Sequence, residues 1–121
     1  EPSMVAYLGE RARTEGLANL TPVQAAEDDP RLPEPVDLVM VVDTYHHLGD
    51  RPAYFRRLAA SVRPGGRLVI IDFKKDSTLG PPPSAKLTAD QVTRELNEAG
   101  WGLQSASTLL PEQYFLVFSR R

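Results

Sequence analysis

Val36-Asp37-Leu38-Val39-Met40-Val41-Val42-Asp43 and, further on, Arg67-Leu68-Val69-Ile70-Ile71-Asp72 are the two stretches that decide the fold. Each is a short apolar run, of strand rather than helix length. Neither alternates with polar residues, and strands of that kind are buried on both faces, the signature of a parallel sheet. The spacing predicts strands over Val36–Val42 and Arg67–Asp72. Between them lie a polar loop, Asp43–Pro52, and a helix over Tyr54–Val62, where Phe55, Leu58, Ala59 and Val62 recur at helical spacing. Arg63-Pro64-Gly65-Gly66 then stops the helix and turns the chain. Strand–helix–strand units place ligand sites just past the C-terminal ends of their strands. Asp43, Thr44, Tyr45, His46 and His47 fall at that position.

Outward from this unit, Pro2–Glu15 reads as an amphipathic helix with Met4, Val5, Leu8 and Ala12 on one face and Gly16 as terminator. Leu20–Gln24 is a short strand candidate, placed at an edge because Pro22 interrupts it. Ala25–Pro35 is an acidic, proline-rich loop. On the other side, Lys74–Ser84 has no helical or strand period and reads as a loop over the C-terminal edge of the sheet. Thr88, with Gln91 three residues on, opens a helix. Val92, Leu96 and Ala99 form its buried stripe, and Gly100 ends it. Leu103–Leu110 and Tyr114–Ser119 are two more strands, and Pro111-Glu112-Gln113 is too short for a crossover, so they pair as an antiparallel hairpin. The expectation is one α/β domain over residues 1–121, with a mostly parallel sheet covered on both faces and a closing antiparallel hairpin.

Composition narrows the function classes. A chain of 121 residues suits one core. Its 14 basic and 16 acidic side chains leave a net charge of −2, without the basic stripe that nucleic acid demands. The absence of cysteine excludes disulfides, thiolate metal sites and a cysteine nucleophile, and fits a cytoplasmic protein. No apolar run reaches the ~20 residues of a membrane span. Adjacent His46 and His47 point apart on an extended backbone and do not make a metal site.

The chain resembles the class I S-adenosylmethionine-dependent methyltransferases. The resemblance is carried by Val36 through Asp43, then Tyr45-His46-His47-Leu48, then Leu58 through Arg63-Pro64-Gly65-Gly66 to Asp72, and finally Glu98-Ala99-Gly100-Trp101 before the closing hairpin. It implies a Rossmann-like fold, S-adenosylmethionine as cofactor and a small-molecule acceptor of unknown identity. It also implies an opening strand, a glycine-rich loop and a second strand ending in a ribose-binding acid. This chain starts at about that acid. In one register Glu1 is the acid itself, and in another the chain begins just after it. On this reading the chain is the C-terminal part of such a domain, and the isolated chain is expected to be inactive.

The resemblance also distributes roles. Asp43 would meet the cofactor's amino acid moiety or the reaction centre, or else cap its loop. Ala26-Glu27-Asp28 resembles the loop that meets the adenine, with Asp28 or Glu27 as the acid. Tyr45 or His46 would orient the acceptor or move its proton. Lys74 and Lys75 would either meet an anionic or carbonyl substrate or stay solvated. In the family sheet the implied first strand lies between Leu20–Gln24 and Val36–Val42, so Val36–Val42 is left with an unpaired edge. Two repairs are expected: Leu20–Gln24 closes up against it, or a second chain pairs there as a homodimer. A non-enzymatic module that self-associates or binds a partner through this edge is the alternative to the methyltransferase. A nucleotide-binding or reductase-like domain is disfavoured because no Gly-x-Gly-x-x-Gly is present.

Overall fold

The structure, a computed structural model, describes all of residues 1–121. Two compact units divide it, Glu1–Pro33 and Glu34–Arg121.

In the first unit the expected helix is α1, Pro2–Thr14. Proline in its first turn costs no hydrogen bond, and Arg11 and Arg13 in the last turn complement the helix dipole. Arg11 pairs with Glu15 and Arg13 with Glu10 one turn away. None of its residues is buried, and Met4 and Tyr7 on the apolar side stay largely exposed. Leu20–Gln24 is not a strand. Pro22 has no N–H to give a ladder, and Leu20 and Val23 remain accessible to solvent.

The second unit is a mixed sheet with two helices. Its elements are β1 (Val36–Val42), α2 (Arg51–Ala59), β2 (Val62–Phe73), α3 (Ala89–Glu98), β3 (Trp101–Ser107) and β4 (Gln113–Arg120). The four strands lie in the order β1-β2-β4-β3. β1 and β2 run parallel, with Val39 opposite Leu68 and Val42 opposite Ile71. β4 is antiparallel to both β2 and β3. The α/β class, the parallel pair and the closing hairpin are therefore as expected.

Several boundaries differ. β3 ends at Ser107 rather than Leu110, and α1 ends, and β4 begins and ends, one residue from the expected bounds. The others have local reasons. α2 starts at Arg51 rather than Tyr54, because the Asp50 carboxylate accepts from Ala53 N and caps it, with Pro52 in the first turn. It also ends earlier, at Ala59. The Arg63-Pro64-Gly65-Gly66 turn lies inside β2. Val36 pairs with Val62 and Leu38 with Arg67, so the turn is a bulge between paired segments. Gly65 there takes a φ of 83°, which only glycine adopts cheaply. A Cβ on Gly66 would clash with Val62 Cγ1 and meet Arg63 O at 2.8 Å and Asp37 O at 3.0 Å. Finally, β3 begins at Trp101, directly behind the helix-terminating Gly100.

Most of the core lies on one sheet face. Leu68 and Ile70 of β2 share it with Phe118 and Leu116 of β4, and all are at most 3% exposed. Phe55 and Leu58 of α2 and Val92 and Leu96 of α3 are equally buried. β2 is buried on both faces, with Val69 and Ile71 at 6% and 8% exposure on the other. Trp101 Nε1 donates to Phe55 O at 2.9 Å and ties α2 down. Thr88 caps α3 through Gln91 N, as the sequence spacing requires. Double-sided burial does not hold for β1. Leu38, Met40 and Val42 are 54%, 56% and 44% exposed. β1 is the edge strand, so one side has no pairing neighbour, and these alternate residues share one face that stays open to solvent.

A part-buried polar clamp joins the helices to the segment after β1. The fully buried Tyr45 donates from its hydroxyl to Glu95 Oε2 at 2.7 Å. Arg51 grips the same carboxylate at two points, Nε–Oε2 2.7 Å and Nη2–Oε1 2.9 Å, and Gln91 Nε2 adds a bond at 3.1 Å. The Arg51 guanidinium also lies 5.4 Å from the centre of the Tyr45 ring.

Two outcomes test this packing. Gly66→Ala should lower unfolding stability by about 1–3 kcal/mol in urea with little change in slope, because the added methyl meets two backbone oxygens. Glu95→Gln should cost about 1–3 kcal/mol at neutral pH, the value of hydrogen bonds to a charged group. The Arg51 bonds, outweighing burial, hold the Glu95 carboxyl at about 2 instead of 4.5 in the folded chain. The stabilisation is therefore whole above pH 4.5 and fades as the pH falls toward 2. Urea titrations at stepped pH should show the gap between wild type and variant closing over that window.

Candidate functional site

The site is assembled where β1 and β2 end. Beyond Val42, Asp43 N still donates to Ile71 O at 2.8 Å, so sheet pairing continues for one bond. The chain then leaves the sheet abruptly. Asp43 takes a φ of 53°, a left-handed conformation that disfavours most side chains. Its Oδ1 accepts from Gln113 Nε2 at 2.6 Å, a bond from the first residue of β4 that fixes the carboxylate over the strand ends.

A single 3-10 turn, Tyr45–His47, follows. It turns Tyr45 inward but, being a turn and not the extended backbone on which His46 and His47 were expected to point apart, it leaves those two rings as neighbours. Tyr45 turns into the core, where burial first and the Glu95 bond second push its hydroxyl well above the ordinary tyrosine range. With that proton committed to Glu95, Tyr45 anchors the turn and has no free group for an acceptor. His46 points along the end of β2. Its Nδ1 lies 2.7 Å from Asp72 Oδ2, and its backbone N reaches the same oxygen at 3.4 Å. The two side chains are 6% and 3% exposed. Asp72 Oδ1 accepts from Phe73 N at 2.8 Å, so both carboxylate oxygens are engaged. His47 stays exposed, its ring 4.1 Å from that of His46.

Asp72 and Tyr114 face each other across β2 and β4. The Tyr114 hydroxyl is buried and makes no hydrogen bond. Burial and the nearby Asp72 charge raise it above the tyrosine range, so it stays protonated. Above the strand ends, residues 74–86 are tied down by a lysine. The buried Lys86 Nζ donates to Ser77 O at 2.5 Å, and Ser77 Oγ donates to Glu112 Oε2 at 2.5 Å. Lys74 Nζ donates to Pro111 O and Lys75 Nζ to Lys86 O. These lysines brace the loop.

Of the residues singled out from sequence, Asp43, Tyr45 and His46 are thus brought together at one sheet edge. The others lie in the first unit. Glu1 flanks the start of α1 and accepts from Ser3 Oγ at 3.1 Å. Ala26, Glu27 and Asp28 sit in a tight turn closed by Ala26 N to Asp29 O at 2.8 Å. Sequence reasoning missed Asp72, Gln113, Arg51 and Glu95 as parts of the site. An acid closing an otherwise apolar buried strand was the available signal for Asp72, since such a carboxylate needs partners.

No group of three or more metal-ligating side chains gathers anywhere in the chain, and no helix is long and apolar enough to cross a membrane. No curated protein matches the chain in sequence. Solved structures do match. The S-adenosylmethionine-dependent methyltransferase from Aquifex aeolicus is 24% identical, with 98% of this chain and 64% of that chain covered and a TM-score of 0.86. Mitomycin 7-O-methyltransferase is 16% identical over all of this chain and 40% of its own, at a TM-score of 0.78. The O-methyltransferase of neocarzinostatin biosynthesis, solved with S-adenosylmethionine and 2-hydroxy-5-methyl naphthoic acid, is 16% identical over 97% of this chain and 38% of its own, at 0.79. The chain thus spans less than two thirds of the length of these proteins. At such identities the likeness establishes a shared fold. A family model described as a methyltransferase domain matches residues 1–70, more than half of the sequence. On that match and this fold, the chain belongs to the class I S-adenosylmethionine-dependent methyltransferase family.

Proposed function

We propose that the chain takes part in S-adenosylmethionine-dependent methyl transfer to a small-molecule acceptor, in the cytoplasm. The observation that carries this is Asp43, held in a left-handed backbone at the sheet's C-terminal edge with one carboxylate oxygen bonded to Gln113. Strained residues held by their surroundings concentrate at ligand sites. A carboxylate with a second oxygen to offer suits the ammonium of the cofactor's amino acid moiety. Within the 121 residues no glycine-rich turn leads from a strand into a helix, so these residues supply one side of a cofactor site. The cofactor when bound would supply an electrophilic methyl group, and positioning the acceptor in line with it is most of what the protein must add.

The chain's own residues divide that task. Asp43 holds charge at the cofactor end. His46 stands next to it on the acceptor side, with Tyr45 anchoring the turn between them. Glu1 and the Ala26-Glu27-Asp28 turn are candidates for the ribose and adenine ends. The family model runs across the boundary at Pro33, which supports reading both units as pieces of one domain. The neocarzinostatin relative, solved with a hydroxynaphthoic acid, supports a small-molecule acceptor.

A second reading, a non-enzymatic module that associates through β1, is favoured by the exposed Leu38, Met40 and Val42 on an edge strand. Calorimetry separates the two. S-adenosylmethionine should bind, and Asp43→Asn should weaken binding about 10–100-fold, the worth of a charged hydrogen bond. No heat at millimolar cofactor would remove the first reading. Sedimentation showing a monomer at high concentration would remove the second.

A further inference from the structure

Two carboxylates lie beneath the strand ends, and their hydrogen-bond inventories differ. An ionised carboxylate offers about four acceptor sites, two on each oxygen. At Glu95 all are taken. Oε2 accepts from Tyr45 Oη and Arg51 Nε, and Oε1 accepts from Arg51 Nη2 and Gln91 Nε2. At Asp72 one is left. Oδ2 accepts from His46 Nδ1 at 2.7 Å and from His46 N at 3.4 Å, whereas Oδ1 accepts from Phe73 N alone.

Directly across the ladder from Asp72 stands Tyr114 of β4. Residues paired across antiparallel strands share a sheet face, with Cβ atoms about 5 Å apart. Tyr114 is 7% exposed and Asp72 is 2% exposed. The Tyr114 hydroxyl is buried and has no hydrogen-bond partner in the chain. Burial, and the Asp72 charge after it, keep that hydroxyl protonated, so it has a hydrogen to give. A donor without an acceptor and an acceptor with spare capacity thus share one rung of one ladder. They do not bond to each other. A buried hydroxyl that forfeits its hydration for nothing in return is rare in native cores.

We propose that Tyr114 Oη and Asp72 Oδ1 hold one internal water molecule between β2 and β4. The water accepts from the phenol and donates to the carboxylate, which completes both groups. The chemistry of the site selects this ligand. A small neutral molecule with a lone pair and an O–H answers a donor and an anionic acceptor at once. Asp72 repels an anion, and no set of three metal-ligating side chains gathers for a cation. Two polar partners, one of them charged, suffice to hold a buried water. The bridge ties the start of β4 to the end of β2. Gln113, the residue before Tyr114, carries the amide that holds Asp43, so the water supports the strand-end site from below without meeting a ligand there.

A crystal structure of the wild-type chain tests this directly. It should show a water oxygen about 2.6–3.2 Å from both Tyr114 Oη and Asp72 Oδ1. No density between them, or a direct Tyr114–Asp72 hydrogen bond, would overturn the proposal. Urea unfolding of Tyr114→Phe supplies an independent sign. A dry, unpartnered hydroxyl is a liability, and its removal would raise the unfolding midpoint. A hydroxyl bonded to a water that also serves Asp72 is an asset, so the midpoint should fall with the slope unchanged. A raised or unmoved midpoint would overturn the bridge. Should Tyr114→Phe fail to fold, the wild-type density alone decides.

Discussion

Parallel register between β1 and β2 decides where every polar group of the site falls. Val42 lies opposite Ile71, so Asp43 leaves the sheet beside Asp72. A slip of one residue would turn Asp72 to the opposite face and away from His46. The register is pinned from both ends. At the start, the Gly65-Gly66 bulge takes up the extra residues of β2 and brings Arg63 within 3.0 Å of Asp37. At the finish, the Asp43 N–Ile71 O bond extends pairing up to the turn. β4 then brings Gln113 and Tyr114 alongside Phe73 and Asp72. Three strand ends converge because two ladders agree.

Below that edge the chain keeps two carboxylates largely from solvent, Asp72 and Glu95, with side chains 3% and 15% exposed. Burying charge is costly unless it is paired and hydrogen-bonded. Glu95 has a bidentate guanidinium, a phenol and an amide as partners. Asp72 has a backbone N–H and an imidazole. The two arrangements serve different ends. The first is closed, all its donors being consumed within the chain, and it makes the turn after β1 rigid. The second leaves one ring nitrogen open.

Much of the architecture was legible from residues alone. β1 has the bounds its apolar run predicts, and Thr88, Gln91 and Gly100 mark α3 correctly, because capping and terminating signals act within a turn of the chain. Arg63-Pro64-Gly65-Gly66 misled, since the same residues that end a helix also make a bulge, and only the partner strand distinguishes them. β1 misled about burial for the converse reason. Its greasiness is local, whereas its place at the edge is a property of the sheet. The site was half visible. Asp43 and His46 stand out beside a strand end, but their partners Gln113 and Asp72 are 70 and 26 residues away, and Arg51 and Glu95 are 44 apart. No short-range pattern links residues that meet only after folding. Tyr45 shows the same limit, since its adjacency to His46 says nothing about the opposite directions the two side chains take.

The left-handed backbone at Asp43 has an evolutionary corollary. Glycine there would relax the strain by about 1–2 kcal/mol and delete the carboxylate. Drift toward thermal robustness and retention of the acid therefore pull this one codon in opposite directions. Selection for stability alone would favour glycine at this position, whereas selection for the charge would not.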